Sequence, residues 1–310
     1  MSDMNKGVAY GAGAYLLWGF MPLYWPLVAP SGSVEILAHR MIWSLAVVLG
    51  LLLAMRHWRW VLAVLRSPRQ ILLLTCAALL ITLNWGTFIY AVNTGHTLQA
   101  ALGYFINPLV SVALGVIVFS ERLRAAQWAA VALGAVSVAV LSLSYGSLPW
   151  MALTMAFTFA FYGLTKKFVR LDGVESLTVE TGILFLPALG FVVFLEATGA
   201  GTFLSGSSAH AALLIGAGLV TAVPLVLFGA AAHRIPLSLV GLLQFIAPVL
   251  QFLVAWLVFR EEMSSFRWIG FAVVWTALVV FAVDMIRHSR RGRPAAAPPV
   301  GGPDLAVEHR

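Results

Sequence analysis

Charged residues are scarce in this 310-residue chain. Only 10% of the residues are Asp, Glu, Lys or Arg and 61% are hydrophobic, whereas soluble domains have about 25% and about 45–50%. A soluble globule is therefore excluded, and we predict an integral membrane protein. The basic residues behind the formal charge of +7 lie between apolar runs and form no single patch or stripe, so we predict no nucleic-acid partner.

Cysteine and catalytic motifs are equally scarce. The single cysteine, Cys76, cannot form an intrachain disulfide, and its place in an apolar run predicts a small core residue. The sequence contains no HExxH, GxSxG, GxxxxGK[ST] or CxxC, which are minimal parts of zinc proteases, serine hydrolases, nucleotide-driven pumps and redox proteins. His96 stands alone in a short loop. We therefore predict no catalytic residues, no cofactor and no metal site.

Apolar runs dominate the rest of the sequence. Because about 20 apolar residues cross the hydrocarbon core as a helix, the chain is predicted to be an all-α membrane protein with ten transmembrane helices. The predicted spans are Gly7–Ala29, Val34–Met55, Ile71–Val92, Leu98–Phe119, Ala125–Leu143, Pro149–Lys166, Leu177–Ala197, Ala211–Ala232, Leu237–Phe259 and Phe266–Met285. The first is too long, and lacks the small-residue cleavage site, for a removed signal peptide.

The distribution of Lys and Arg predicts the orientation. If the amino terminus is cytoplasmic, all but three of the 19 Lys and Arg residues lie on the cytoplasmic side; Arg260 and Arg267 lie outside, and Arg40 lies within the membrane. Both termini are therefore predicted to be cytoplasmic. The segment 287–310 is basic and then rich in Pro, Gly and Ala, so we predict a disordered cytoplasmic tail.

The sequence repeats itself weakly at a shift of 140 positions. Val34 to Ala132 aligns without gaps on Val174 to Ala272, with FINP on FIAP, VFSE on VFRE, and Trp128 on Trp268. We divide the chain into repeats at 1–145 and 146–286. Each holds five predicted helices, an odd number, so the second copy is inverted. Inverted repeats are typical of secondary transporters, whose substrate site lies near the midplane between the halves.

Several motifs resemble a known family. These are ILAHRMIWS at 36–44, NWGTFIYAVN at 84–93, LGYFINPLV at 102–110, FAFYGLTKK at 159–167 and TAVPLVLF at 221–228. From about Gly7 to Met285, the chain resembles the drug/metabolite transporter superfamily with its tandem EamA-type domains, and more narrowly its RarD branch. The resemblance implies a multi-pass permease of the bacterial inner membrane, an exporter rather than an importer. It supplies no ligand.

Two predicted helices carry prolines at matched positions. Pro108 and Pro248 follow Gly103 and Gly241, and each proline leaves a backbone carbonyl without its helical partner. Paired interruptions of this kind indicate a transporter's binding site or hinge. The alternative is that membrane helices tolerate Pro and use Gly for close packing.

Polar and aromatic residues within the predicted spans are the candidates for the substrate pathway. For the polar ones, interhelical hydrogen bonding without substrate contact is an equal alternative, and for the aromatics it is packing. The candidates are His39, Arg40, Trp43, Asn84, Trp85, Tyr104, Asn107, Tyr162, Glu180, Gln244 and Gln251. Glu121 and Glu261, at matched helix ends, are assigned to local pairing with neighbouring arginines.

The segment VEILAHR at 34–40 places three ionisable residues near the outer end of the second helix. Glu35 is suited to a helix start, and His39 is four residues away on the same face. Arg40 either snorkels to the outer water or, with His39, forms a vestibule that attracts an anionic or zwitterionic solute. At the repeat shift Arg40 meets Glu180 from the opposite leaflet, so each needs its own partner or contact with water.

These features favour a secondary transporter of a small amphipathic metabolite or drug, embedded in a lipid bilayer. Energy coupling stays open among protons, counter-substrate exchange and facilitated diffusion. The sequence also admits an uptake or exchange permease of the same fold, a membrane scaffold without a transport cycle, and an intramembrane enzyme. The paired prolines and buried amides disfavour the scaffold, and the missing motifs disfavour the enzyme. Nothing in the sequence predicts the oligomeric state.

Overall fold

Helices make up all the regular structure in the part of the chain that the computed structural model describes, residues 3–56, 58–120 and 122–291; these residues contain no β-strand. The α-helices are α1 (Asp3–Phe20), α2 (Ser33–Met55), α3 (Arg59–Leu65), α4 (Pro68–Asn93), α5 (Thr97–Phe119), α6 (Ala125–Tyr145), α7 (Trp150–Lys166), α8 (Gly173–Ala197), α9 (Ser208–Ala232), α10 (Leu237–Leu243), α11 (Ile246–Leu253) and α12 (Ser265–Arg291). The prediction of an all-α protein is confirmed. The predicted tail lies outside the described residues from 292 onward.

Among the described residues, seven helices are long and apolar enough to cross a bilayer: α2, α4, α5, α6, α8, α9 and α12. The other three predicted spans correspond to α1 with the turns after it, to α7 with its 17 residues, and to α10 with α11. The total of ten transmembrane helices therefore stays a prediction. Helix α3 was not predicted, because its seven residues lie between two apolar runs.

The first predicted span is wrong in its second half. Helix α1 ends at Phe20, and two 3-10 turns follow at Met21–Leu23 and Trp25–Val28. Each turn has a proline near its start, Pro22 or Pro26, and proline has no N–H to extend an α-helix. Trp25 is fully buried. The break therefore turns this indole into the protein.

The ninth predicted span is also interrupted. Helix α10 ends at Leu243, α11 begins at Ile246, and a π-helical segment follows at Val254–Val258. Pro248 cannot donate to the carbonyl of Gln244, and its ring crowds that carbonyl, which explains a break there. Helix α5 nevertheless runs unbroken across Pro108. The two matched prolines thus have different local effects.

The helices of the two halves begin in register. Helices α2, α4, α5 and α6 begin at residues 33, 68, 97 and 125, and α8, α9, α10 and α12 begin at 173, 208, 237 and 265, each 140 residues later. Ser120 and Arg260, also 140 apart, have left-handed backbones, with φ of 53° and 54°. The contacts between helices also correspond in the two halves. Helix α9, in the second half, contacts α1 and α2 of the first half, and α4, in the first half, contacts α7 and α8 of the second.

Buried apolar side chains fill the space between the helices, and large apolar side chains also cover the outside. One buried cluster joins Trp25 and the 3-10 turns to α4, α7 and α9, and another joins α5 to α11 and α12 around Phe252. Leu72, Leu143 and Leu186 are 64–81% exposed. So much exposed apolar surface is suited to lipid. Cys76 is exposed on α4, so the prediction of a core thiol was wrong.

Helix α5 approaches α7 closely at Gly103. A Cβ atom placed on Gly103 would lie 2.7 Å from the carbonyl oxygen of Ala152 and 2.9 Å from Cβ of Met155. Only glycine leaves room for the two backbones at this distance. Gly103 therefore has a packing function, in line with the alternative to a hinge. Its sequence counterpart, Gly241, lies in the short helix α10.

Candidate functional site

Arg40 is the most deeply enclosed charge on α2. It is 1% exposed, and its Cζ atom lies 3.8 Å from the centre of the Trp85 ring and 5.3 Å from the centre of the Trp25 ring. The two indoles come from α4 and from the 3-10 turn before α2. Because Arg40 is this deeply buried against the two rings, its guanidinium does not snorkel to water. The snorkelling alternative is therefore wrong.

In the part of the chain that the structure describes, the guanidinium has no carboxylate partner. Within the described residues Arg40 forms no salt bridge, and its Nε and Nη1 atoms have no hydrogen-bond partner. The Tyr104 hydroxyl is an electrostatic neighbour of the guanidinium. Buried charges are ordinarily paired and hydrogen-bonded, because removing them from water is expensive. The cation–π contacts with Trp85 and Trp25 offset only part of that cost.

Asn84 joins three helices next to this charge. Its Nδ2 donates to the carbonyl of Met155 at 2.9 Å and to Oγ1 of Thr158 at 3.1 Å, both on α7. Its Oδ1 accepts from the Tyr104 hydroxyl on α5 at 3.1 Å. Asn84 is fully buried on α4. The amide thus holds α4, α5 and α7 together while fixing the position of Tyr104.

Glu180 lies in a second buried polar cluster, between α7 and α8. It is 1% exposed, and its carboxylate accepts from Lys166 Nζ at 2.8 Å, Ser176 Oγ at 2.7 Å and the Tyr162 hydroxyl at 3.2 Å. Lys166 also contacts the Ser176 hydroxyl. Glu180 therefore has its own partner within the described residues, Lys166, as we predicted from its place in the opposite leaflet to Arg40.

An aromatic row connects the two clusters. The ring of Phe159 lies 6.0 Å from the ring of Tyr104 and 6.0 Å from the ring of Tyr162, centre to centre. Tyr104 belongs to the Arg40 cluster and Tyr162 to the Glu180 cluster. Of the predicted pathway residues, the structure thus brings together Arg40, Asn84, Trp85, Tyr104, Tyr162 and Glu180 in one continuous group.

His39 and Trp43 face the loop after α8. Trp43 Nε1 donates to His39 Nδ1 at 3.3 Å, and the His39 ring stacks on Phe203 with centres 4.8 Å apart. Glu35 accepts from the backbone N–H of Thr202 at 2.7 Å and from its hydroxyl at 2.9 Å. Among the described residues, Glu35 and His39 share a helix face but form no hydrogen bond with each other, and Glu35 fixes the loop after α8.

Three predicted pathway residues lie apart from this group. Asn107 is partly exposed and accepts a long hydrogen bond, 3.5 Å, from Ser111 one turn along the same helix. Gln244 lies at the end of α10, where the chain breaks before α11. Gln251 is 2% exposed and its Nε2 donates to the carbonyl of Trp18 at 3.1 Å. Gln251 thus joins α11 to α1, as an interhelical hydrogen bond would.

Across the described ranges, Glu261 forms no salt bridge with the neighbouring arginines. It accepts from the backbone N–H groups of Thr97 at 2.6 Å and Leu98 at 2.9 Å, so it caps α5 from the other half of the chain. Burial raises the pKa of the Glu261 carboxyl above its ordinary value, against the lowering effect of these hydrogen bonds and of His96. A cavity of about 400 Å³ lies beside it, lined also by Gln99 and Tyr145. Glu121, its counterpart, lies outside the described residues.

Sequence reasoning missed Trp25, Lys166 and the loop residue Thr202 as partners of the predicted site. Trp25 was placed in a straight helix, although Pro22 and Pro26 beside it predict a turn. Lys166 was counted only as a topology signal, although its spacing of four from Tyr162 places both on one face of α7. Within the described residues no group of three His, Cys, Asp or Glu side chains converges to hold a metal ion.

Comparisons with known proteins agree with this membrane-helical architecture. The model of the EamA-like transporter family matches residues 5–143. Protein RarD of Streptomyces exfoliatus is 55% identical over 302 residues, covering 96% of each chain. Protein RarD of Escherichia coli is 40% identical over 288 residues, covering 93% of this chain and 97% of its own. The chloramphenicol-sensitive protein RarD of Pseudomonas aeruginosa is 29% identical over 295 residues, covering 94% and 98%.

A solved structure supports the fold alone. A chain titled "Crystal structure of protein" superimposes with a TM-score of 0.59 at 20% identity, covering 91% of this chain and 98% of its own. At that identity the likeness concerns the path of the backbone and not the ligand.

Proposed function

Because the chain belongs to the RarD branch of the EamA-type drug/metabolite transporter superfamily, we propose that it moves a small amphipathic metabolite or drug across the bacterial inner membrane by alternating access. Its relatives are named as transporters and not as enzymes, and it is a multi-pass membrane protein of that kind. Export is the proposed direction, and uptake or exchange by the same fold is the alternative.

The register of the helices carries this proposal. Four helices of the first half begin 140 residues before four helices of the second half, and the packing partners exchange in the same way. Two inverted five-helix repeats, 1–145 and 146–286, account for that register, with ten spans and both termini in the cytoplasm. An inverted repeat provides two conformations of similar energy, because the halves can exchange their shapes.

The residues proposed to form the pathway are those of the continuous group, with His39 and Trp43 at its outer end. Arg40, Trp85 and Tyr104 form one part of the group, and Tyr162 and Glu180 form the other. Asn107, Gln244 and Gln251 are proposed to enter the pathway in another conformation. The hinge is proposed at Gly103 and Pro108 in α5 and at Gly241 and Pro248 in α10 and α11.

Proton coupling is one candidate for the energy source, with exchange and facilitated diffusion as the others. Glu180 is the carboxylate to which the coupling hypothesis applies, because it is buried next to Lys166, Ser176 and the Tyr162 hydroxyl. A carboxylate within a membrane bundle that can lose its partner is suited to proton relay. Glu180→Gln is expected to abolish any dependence of flux on an imposed pH gradient.

The test of transport is solute flux into proteoliposomes that contain the purified protein. Amino acids, nucleosides and phenicols are screened with and without a pH gradient, and empty liposomes give the background. We expect saturable flux for at least one solute. Absence of flux for all three classes, together with a stable complex with a partner protein, would favour the membrane scaffold and overturn the proposal.

A further inference from the structure

We infer that Arg40 binds the anionic group of the transported solute, and that the solute is a small organic anion carrying a flat apolar or aromatic body. This inference rests on the proposed transport function and names the class of substrate. It follows from a buried guanidinium that forms no salt bridge within the described residues and lies over two indole rings.

The first step is the missing counter-charge. Arg40 is 1% exposed, no salt bridge involves it within the described residues, and its Nε and Nη1 atoms lack hydrogen-bond partners. Lys166, at the end of α7, has Glu180 at 2.8 Å. An intramembrane cation is expensive unless it is paired, and such residues mark substrate pathways. Arg40 is therefore a buried cation that requires an anion.

The second step is the geometry of the guanidinium. Its carbon lies 3.8 Å from the centre of the Trp85 ring and 5.3 Å from the centre of the Trp25 ring, so both indoles make cation–π contacts with it. The unpartnered N–H donors lie along the edge of the guanidinium plane. A carboxylate or phosphoryl group binds the edge of a guanidinium through parallel N–H···O bonds. The site is therefore suited to a planar or tetrahedral oxyanion and not to a second cation.

The third step is the surface around the donors. Trp25 and Trp85 contact the guanidinium, Tyr104 is its electrostatic neighbour, and Phe88 packs against Tyr104 with ring centres 5.8 Å apart. Asn84 fixes the Tyr104 hydroxyl at 3.1 Å. Aromatic walls beside one cationic group favour a ligand with one anionic group and an apolar body. Such a ligand is amphipathic, as the proposed function requires.

A lipid headgroup carries similar oxyanion chemistry, so the experiment must separate the two sources. The enclosure of Arg40 favours a small solute, because a lipid phosphate would meet cations near the ends of helices rather than between α2, α4 and α5. In this conformation the indoles cover the guanidinium. A solute therefore reaches Arg40 only when Trp25 or Trp85 moves, and alternating access provides such a movement.

The experiment measures binding to the purified full-length protein in nanodiscs of zwitterionic lipid by calorimetry. The probes are benzoate, phenylacetate and indole-3-acetate, each compared with its neutral amide, and inorganic phosphate alone. We expect at least one carboxylate to bind about tenfold or more tightly than its amide, and Arg40→Gln to remove that difference. Arg40→Lys keeps the charge without the planar edge and is expected to recover only part of it.

Arg267→Gln is the matched control. The Arg267 guanidinium lies 4.5 Å from the centre of the Tyr145 ring, so this variant also removes an arginine stacked on an aromatic ring, but outside the proposed pathway. It is expected to leave the preference for carboxylates unchanged. If Arg40→Gln fails to fold, the comparison of each carboxylate with its amide on the wild-type protein still decides the question.

Three results would overturn the inference. The first is equal affinity for each carboxylate and its amide, and the second is an unchanged preference in a folded Arg40→Gln variant. The third is displacement of the probes when the nanodiscs contain phosphatidylglycerol, which would assign the site to lipid. Flux measurements distinguish failure of this inference from failure of the proposed function. Flux of neutral solutes without any preference for anions would refute the anion site and keep the transporter. Arg40-dependent binding without flux of any solute would keep the anion site and refute the transporter.

Discussion

Glu261, in the second half of the chain, accepts a 2.6 Å hydrogen bond from the backbone N–H of Thr97, in the first half. A second bond, from Leu98 N–H at 2.9 Å, completes the cap of α5. The contact connects the start of α5, which contains Pro108, to the residues that follow α11, which contains Pro248, and the π-helical segment. It therefore holds the two halves together at the end that the charge distribution places outside.

Removing this cap is expected to loosen the start of α5. Glu261→Ala leaves the N–H groups of Thr97 and Leu98 without an acceptor, which costs about 1–2 kcal/mol for a lost helix cap. Amide hydrogen exchange in the peptide 97–103 is then expected to increase by roughly 5–30-fold. Glu261→Gln keeps an acceptor oxygen and is the control, with a smaller increase. Equal exchange in all three proteins would show that Glu261 does not hold α5.

The raised pKa of Glu261 predicts the direction of a pH effect. Burial disfavours the charged carboxylate when the contact is closed, so the closed form binds its proton more tightly than an open, hydrated form. The stabilisation due to protonation is complete below the ordinary Glu pKa of about 4.3 and is lost as the pH rises through the higher pKa of the closed form. Lower pH therefore favours closure, although His96, Glu262 and Arg267 surround the same cavity.

Pulsed electron paramagnetic resonance can measure this effect between nitroxides at positions 94 and 265, in a Cys76→Ser background. We expect the population with the longer distance to decrease as the pH falls toward the ordinary Glu pKa, and Glu261→Gln to remove most of that dependence. A population of open molecules that grows on acidification would contradict the predicted sign.

The pair of Lys166 and Glu180 is expected to stabilise the contact of α7 with α8. Lys166→Met leaves a carboxylate that is 1% exposed without its cation, and breaking a buried pair costs about 3–5 kcal/mol. Because Lys166 is 24% exposed, the lower end of that range is expected. Chemical unfolding of the protein in detergent measures the loss. The double variant Lys166→Met with Glu180→Gln is expected to recover part of it, and no recovery would show that the pair is not coupled.

The course of the longer helices could be predicted from the sequence, because apolar runs of about 20 residues and the internal repeat both have local signals. The breaks could not. Pro108 and Pro248 occupy matched positions, yet α5 continues through its proline while the other helix is interrupted at Gln244 and Phe245. Whether a membrane helix absorbs a proline depends on the neighbours that satisfy the freed carbonyl, and those neighbours are tertiary contacts.

The candidate site shows the same limit. The sequence identified Arg40, Asn84 and Glu180 because polar groups within apolar spans are conspicuous. It could not identify their partners, which lie far along the chain: Asn84 bonds to Thr158, 74 residues away, and Glu35 bonds to Thr202, 167 residues away. Charge and depth therefore predict which polar residues are candidates for the site, and only the packing shows which of them already have partners.

The contrast between the two asparagines tests that distinction. Asn84 is fully buried with three partners, whereas Asn107 is partly exposed with one long bond to Ser111. Asn84→Ala leaves the Tyr104 hydroxyl without its acceptor and is expected to lower the free energy of unfolding by about 1–3 kcal/mol. Asn107→Ala is expected to change it by less than about 0.5 kcal/mol. Chemical unfolding measures both, and similar losses would refute the assignment.

Gly103 tests whether the close contact of α5 with α7 is needed for the fold or only for movement. In Gly103→Ala the added carbon would lie 2.7 Å from the Ala152 carbonyl oxygen, so the helices must separate, and such overpacking costs about 1–3 kcal/mol. Gly50→Ala on α2 is the matched control, because no heavy atom lies within 4 Å of the added carbon and alanine gains roughly 0.5–1 kcal/mol of helix propensity over glycine. Thermal unfolding in detergent measures the effect. We expect a lower midpoint temperature for Gly103→Ala and an unchanged or higher midpoint temperature for Gly50→Ala. If Gly103→Ala unfolds like the wild-type protein but loses flux, the glycine acts as a hinge rather than as a packing contact.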